Sequence, residues 1–249
     1  MSTSAPAVRF EHVTTVLSGR TVLDDLSFDI DQGESVVMLG KSGTGKSVTL
    51  KTIMGLMTPD AGRVFVDGGE VTDAPRHVLS EIRQGVGFLF QNAALFDSIS
   101  VGENVAFPLR RHTDCDDSEI EEIVLGKLEQ VGLEADYDKL PSQLSGGMKK
   151  RVGLARALVL DPPILLVDEP SAGLDPITAG EIDDLLCTLR DEGGTTLVVV
   201  THDIPSARKI GRRLMVLDGG RIVAEGTVAE LDQSDLPLVQ AFMKSEGSG

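Results

Sequence analysis

Residues 40–47 read Gly-Lys-Ser-Gly-Thr-Gly-Lys-Ser. They fill every fixed position of a phosphate loop, a glycine followed after four free positions by Gly-Lys-Ser/Thr. Gly40, Gly43 and Gly45 let the backbone curl so that its N–H groups face phosphate oxygens. Lys46 brings a point charge to the terminal phosphates, and Ser47 offers a hydroxyl to Mg²⁺. Lys41, Ser42 and Thr44 share the four free positions with Gly43, and Val48 belongs to the helix whose positive end completes the cradle. A second constellation is Ile164–Val167 followed by Asp168 and Glu169, four apolar residues ending in two acids. Beside a phosphate loop, such an aspartate holds the Mg²⁺ shell, usually through water because the ion dehydrates reluctantly. The glutamate next to it is placed to orient or deprotonate the attacking water. A third is Leu144–Met148, where Ser145, Gly146 and Gly147 open a helix and form a second anion site. Lys149, Lys150 and Arg151 stand in that helix's first turn, against its dipole, and an incoming anion would offset the cost.

These groups need a scaffold of strands and helices. Ser35–Leu39 is a short apolar run suited to a buried parallel strand. Val48, Leu50, Ile53, Met54 and Met57 follow it at roughly helical spacing. Before it, residues 8–34 read as short strands around a turn at 18–20. Gly62–Val66 reads as a strand ended by Asp67-Gly68, and Gly85–Leu89 as a central strand followed by Gln91. Strand signals then vanish over residues 93–160. Glu119–Val131 is helical, with Asp114, Asp116, Asp117 and Ser118 as candidate caps, and another helix runs from near Ser145 to Leu160. Strand character returns at Ile164–Val167, Leu197–Val200 and a hairpin over 214–223, with helices from Thr178 and Pro205 between. This alternation predicts an α/β fold: a phosphate-loop core of mainly parallel sheet, an N-terminal antiparallel β portion and an inserted helical subdomain. The expected division is one domain over 1–249, with the core at about 8–92 and 161–230, the helical part at about 93–160 and a tail at 231–249. Glu246–Gly249 is expected to be loose.

Composition narrows the partners. Lys+Arg 23 against Asp+Glu 39 give the 249 residues a net charge of −16. Nucleic acid calls for a basic stripe and stacking aromatics, whereas Trp is absent and Tyr137 is the only tyrosine. Cys115 and Cys187 form no disulfide or metal pattern and suit a reducing compartment. Cys115, among acids, reads as exposed and Cys187 as core. The first ten residues contain no apolar signal region. No apolar run approaches the ~20 residues of a membrane span, so work at a membrane would need another subunit.

Taken together, the motifs resemble those of the ATP-binding cassette ATPases. Gly40–Ser47 resembles the Walker A loop, Leu144–Met148 the signature and Ile164–Glu169 Walker B. Ser171–Asp175 resembles the D-loop, with Asp175 at its end. Gln91 matches the Q-loop glutamine and His202 the switch histidine. The similarity covers roughly residues 8–230. It implies ATP and Mg²⁺ as ligands, bound in a head-to-tail dimer in which the signature of one copy (Ser145, Gly146, Gly147, Met148) closes on the ATP held by the other. It also implies Glu169 as general base, His202 at the γ-phosphate, and Ser47, Asp168 and Gln91 around Mg²⁺, with Gln91 linked to a transmembrane partner. Two positions depart from the pattern. Val13–Gly19 lacks the aromatic that stacks on adenine, and Met148 replaces the usual Gln.

Residues 90–107, 144–158 and 168–180 are similar to the ATPase subunits of MCE/Mla-type lipid transporters. That resemblance implies phospholipid as cargo, a multi-span permease and an MCE-domain protein as partners, and a peripheral place on the cytoplasmic side of the inner membrane. An amino-acid or other small-solute importer is the alternative, with a soluble cassette of repair or translation behind it.

Overall fold

The computed structural model describes residues 5–192 and 194–244. The chain opens with β1 (Val8–Leu17) and β2 (Arg20–Ile30), an antiparallel pair turned by Ser18 and Gly19, both at positive φ. β3 (Ser35–Leu39) leads through the glycine loop into α1 (Lys46–Ile53). β4 (Ala61–Val66) and β5 (Gly69–Glu70) return to β1, so the smaller sheet runs β2-β1-β4-β5. Then come α2 (Arg76–Gln84), β6 (Val86–Leu89), α3 (Val101–His112), α4 (Asp117–Gln130), α5 (Gly146–Leu158) and β7 (Ile164–Asp168). The chain closes through α6 (Pro176–Glu192), β8 (Thr196–Thr201), α7 (Ile204–Ile210), β9 (Arg213–Asp218), β10 (Arg221–Gly226), α8 (Val228–Asp232) and α9 (Pro237–Met243).

The larger sheet has the order β10-β9-β3-β8-β7-β6. It is parallel except for the β9-β10 hairpin. Its strands read as unbroken apolar runs because both faces are covered. Val37, Leu39, Leu165, Val167, Val199 and Leu214 face a core shared with α3–α7. Val36, Met38, Leu166, Val198, Val200 and Met215 face a second core shared with α1 and the antiparallel sheet. The period-2 alternation of one strand thus serves two cores at once.

Three expectations need correction. β6 is not central: it stands at the sheet edge with β7 as its neighbour. All four of its residues are nonetheless buried, so burial alone could not tell edge from centre. The 231–249 segment is not simply a tail, because Val239 and Met243 of α9 pack into the larger core. Arg208 also reaches across to the Met243 carbonyl at 2.8 Å. Glu246–Gly249 lie outside the described residues. Cys115 is half-buried and packs against the larger core rather than lying exposed, and Cys187 is also half-buried.

The span 93–160 contains α3, α4 and α5 and no strand among its residues. α3 went unpredicted, although Ser100 and Glu103 form a reciprocal capping box at its start, a pattern readable as Ser-x-x-Glu. Buried Asn104 ties the preceding loop to α3, donating to the carbonyls of Phe96 and Ser100 at 3.1 and 2.9 Å.

Candidate active site

Parallel neighbours β3, β8 and β7 end on the same edge of the sheet, and each end carries chemistry. β3 runs into the glycine loop. Gly45 sits at φ 106°, a left-handed conformation that L side chains rarely adopt. A Cβ there would also meet the Val22 carbonyl at 2.8 Å. Gly43 is left-handed too, at φ 80°. Among the described residues no acceptor meets the N–H groups of Ser42, Gly43 or Gly45. That leaves donors in a curled loop at the head of α1, where an anion is favoured. Val48 packs against the second core as part of α1.

Lys46 is only 6 % exposed. Its ammonium donates to the carbonyls of Gly40 (2.7 Å) and Lys41 (3.2 Å) and lies 3.4 Å from Glu169 Oε1. Thr44 Oγ1 donates to the Lys41 carbonyl at 2.9 Å and braces the loop. Ser47 Oγ donates to Asp168 Oδ1 at 2.8 Å. Burial raises the pKa of Asp168, and the Ser47 bond only partly opposes it. A hydroxyl and a buried carboxylate meeting at the phosphate loop are hard oxygen ligands of the kind Mg²⁺ takes, so these residues fit the ion.

Glu169 is 8 % exposed and has a left-handed backbone, φ 47°. For a residue with a Cβ this costs about 1–2 kcal/mol. Its N–H donates to the Val200 carbonyl at 2.9 Å. Oε2 accepts from the His202 N–H at 3.2 Å and pairs with His202 Nδ1 at 2.8 Å. With Glu169 ionised, Nδ1 carries the hydrogen, and Nε2 is left as the other polar atom of an exposed ring. The structure therefore brings Lys46, Ser47, Asp168, Glu169 and His202 together. Gln91 is exposed in the turn after β6 and has no bond to Ser47 or Asp168.

The second anion site expected at Leu144–Met148 lies on a different element. Ser145 caps α5, its Oγ accepting from the Met148 N–H at 3.2 Å. Gly146 and Gly147 read from sequence as anion donors, yet both are closely packed. A Cβ on Gly147 would overlap Thr178 Cγ2, and one on Gly146 would lie 3.3 Å from Leu174. Thr178 cannot swing away cheaply, because its Oγ1 donates to Asp175 Oδ2 at 2.6 Å. Asp175 also accepts from the N–H groups of Ile177 and Thr178, and the Thr178 bond lowers its pKa. Gly147→Ala is accordingly expected to destabilise the protein by ~2 kcal/mol in thermal or denaturant unfolding. Adding Thr178→Ser should restore most of that loss.

Lys149, Lys150 and Arg151 do not form one basic cluster. Lys150 turns inward and donates to the Glu169 carbonyl at 2.9 Å. Burial lowers its pKa against the pull of Asp168 and Glu169. Arg151 pairs with Glu181. No sequence signal marked Lys150 as a neighbour of Glu169.

Where an aromatic was missing, Leu17 is 38 % exposed at the end of β1. Beyond the site, a groove of ≈ 340 Å³ flanks the Gln91 turn, lined by Phe88, Phe90, Phe96, Phe107 and Arg156 among others. Phe96 and Phe107 are 45 % and 48 % exposed, with ring centroids 4.9 Å apart.

Residues 23–172 match the ABC transporter family. Over 243 residues the chain is 41 % identical to a protein of Mycobacterium leprae named a probable ribonucleotide transport ATP-binding protein, covering 98 % of this chain and 70 % of that one. Over 245 residues it is 36 % identical to the intermembrane phospholipid transport system ATP-binding protein MlaF of Escherichia coli, covering 98 % and 91 %. The fold matches a dimeric ATP-binding cassette solved after hydrolysis with ADP and Pi, at TM-score 0.82 and 36 % identity, over 88 % of this chain and 98 % of that one. The chain thus belongs to the ABC transporter family, as one of its ATP-binding, ATP-hydrolysing cassettes.

Proposed function

We propose that this chain is the ATPase subunit of a phospholipid transporter, working as a head-to-tail dimer beneath a multi-span permease. The observation that carries the catalytic half is the convergence of Lys46, Ser47, Asp168, Glu169 and His202 at the ends of β3, β7 and β8, while Ser145 caps a helix outside that cluster. One copy then offers a phosphate loop and, elsewhere, a signature for its partner's nucleotide. The cargo rests on the MlaF relatives of Haemophilus influenzae and E. coli, matched over 92 % and 91 % of their lengths and named for intermembrane phospholipid transport.

In this reading the loop N–H groups and Lys46 bind the phosphates, and Ser47 and Asp168 would hold Mg²⁺, which would supply charge neutralisation at the phosphoryl group. Glu169, fixed between Lys46 and His202, accepts the proton of the attacking water. His202 meets the γ-phosphate. Gln91, Ser145–Met148 and Asp175 take the linking, partner-binding and D-loop roles. The α3–α5 segment moves as a helical subdomain against the core. No helix among the described residues is long and apolar enough to cross a membrane. In this reading the permease holds the subunit peripherally, on the cytoplasmic side of the inner membrane. An MCE-domain protein is the remaining partner.

The permease is assigned to the groove bordered by Phe96 and Phe107, which adjoins the Gln91 turn and exposes two aromatic anchors. Replacing both with Ser is expected to lower recovery of the permease in co-purification by about tenfold or more, while ATP binding persists. Capture of a permease and an MCE-domain protein by the parent chain, with phospholipid in the complex, is the supporting result. The ribonucleotide name of the mycobacterial relatives is a second reading. A permease recovered without an MCE-domain protein and without lipid would favour it.

A further inference from the structure

One helix, α5, holds two strained loops. Lys150 donates to the Glu169 carbonyl at 2.9 Å, and both residues are more than nine-tenths buried. Two turns on, Arg156 donates to the carbonyls of Ala93 (2.6 Å) and Ala94 (2.9 Å), just past Gln91. All three acceptor residues are left-handed without being glycine, at φ 47°, 56° and 48°. Such conformations persist where the surroundings over-determine them. They occur here directly after β7 and a few residues after β6, neighbouring strands of the large sheet.

Besides the Lys150 bond and the side-chain contacts to Lys46 and His202, Glu169 has two main-chain hydrogen bonds among the described residues: its N–H donates to Val200, and its carbonyl accepts the Ala172 N–H at 3.3 Å. The lysine bond is shorter and cationic, and it lies in a buried site where such bonds are stronger. Lys150 is also five residues from Ser145 on the same rigid element. The helix that Ser145 caps thus carries both contacts, Lys150 to the Glu169 backbone and Arg156 to the turn after Gln91.

We propose that Lys150 is a positioning residue for hydrolysis: it grips the Glu169 main chain so that the carboxylate stays between Lys46 and His202, and Arg156 is the matching grip on the loop after Gln91. The proposal rests on Glu169 being the general base. A lysine that only balanced the charge of Asp168 and Glu169 would act on Mg²⁺–ATP affinity as much as on turnover. One that positions the base acts on turnover.

The test uses the full chain with Lys150→Met, measuring kcat for ATP and the Kd of a fluorescent ATP analogue with Mg²⁺. The expected result is a kcat lowered about ten- to a hundredfold, as for a misplaced catalytic group, with Kd within about threefold of the parent. An unchanged kcat overturns the proposal, and so do kcat and Kd changing together. Should Lys150→Met fail to fold, Lys150→Gln, too short to reach the carbonyl, is read by the same two numbers. Glu169→Gln run alongside separates the failures. If it hydrolyses ATP at the parent rate, the general-base reading falls. If it is inactive while Lys150→Met keeps the parent kcat, only the Lys150 proposal falls.

Discussion

Glu169→Gln is expected to bind ATP within about threefold of the parent affinity and to hydrolyse it at least about a hundredfold more slowly, the range for loss of a general base. The side chain is buried and engaged at both oxygens, by Lys46 at 3.4 Å and by His202 at 2.8 Å. Glutamine matches it in size and keeps one acceptor oxygen, enough for His202 or for Lys46, while its NH2 group meets the other donor, so the change is isosteric at the loss of one contact. It cannot take a proton from water. Binding and turnover should therefore separate, with bound ATP accumulating and the closed dimer persisting in size-exclusion chromatography. Phosphate release measured at saturating ATP checks the first part. A parent-like rate would remove Glu169 from its role.

Lys46→Ala is expected to weaken ATP binding by at least about a hundredfold, the loss of a charge-assisted contact of roughly 3 kcal/mol. The same change has a structural cost. Lys46 is the cation beside Glu169, and Asp168 already has its pKa raised by burial. Its removal leaves two adjacent buried acids with less compensating charge, which destabilises the folded chain. Nucleotide titration should accordingly be read beside a melting curve. An ATP affinity equal to the parent's, in a variant that still melts cooperatively, would rule out the phosphate-binding role.

The catalytic strands were readable because the chemistry sits at the ends of short apolar runs. Ser35–Leu39, Ile164–Asp168 and Thr196–Thr201 are wholly buried, and each is followed by its polar group. The helix caps at Asp116 and Ser145 were equally local, a side chain bonding to an N–H two or three residues on. What escaped were features fixed by partners far along the chain. The edge position of β6 depends on which strands flank β7 and cannot be seen in four apolar residues. Gly147 is glycine because Thr178, held by Asp175, lies against it. Lys150 reads as one of three cations in the first turn of its helix, and only the tertiary fold sets it against the Glu169 carbonyl. The docking of α9 was missed because Val239 and Met243 are too few to show a period.

The Ser47–Asp168 bond joins residues 121 positions apart in the chain. Loop closure over such a distance, and the parallel register that brings β7 and β3 to either side of β8, come late in folding. A chain that has formed only its local helices and hairpins has a glycine loop but nothing opposite it. Competence to bind ATP should therefore be the last property regained on refolding, lagging behind the recovery of helical signal. Nucleotide, which meets this arrangement only in the finished protein, will raise the unfolding temperature in proportion to the logarithm of its concentration above Kd.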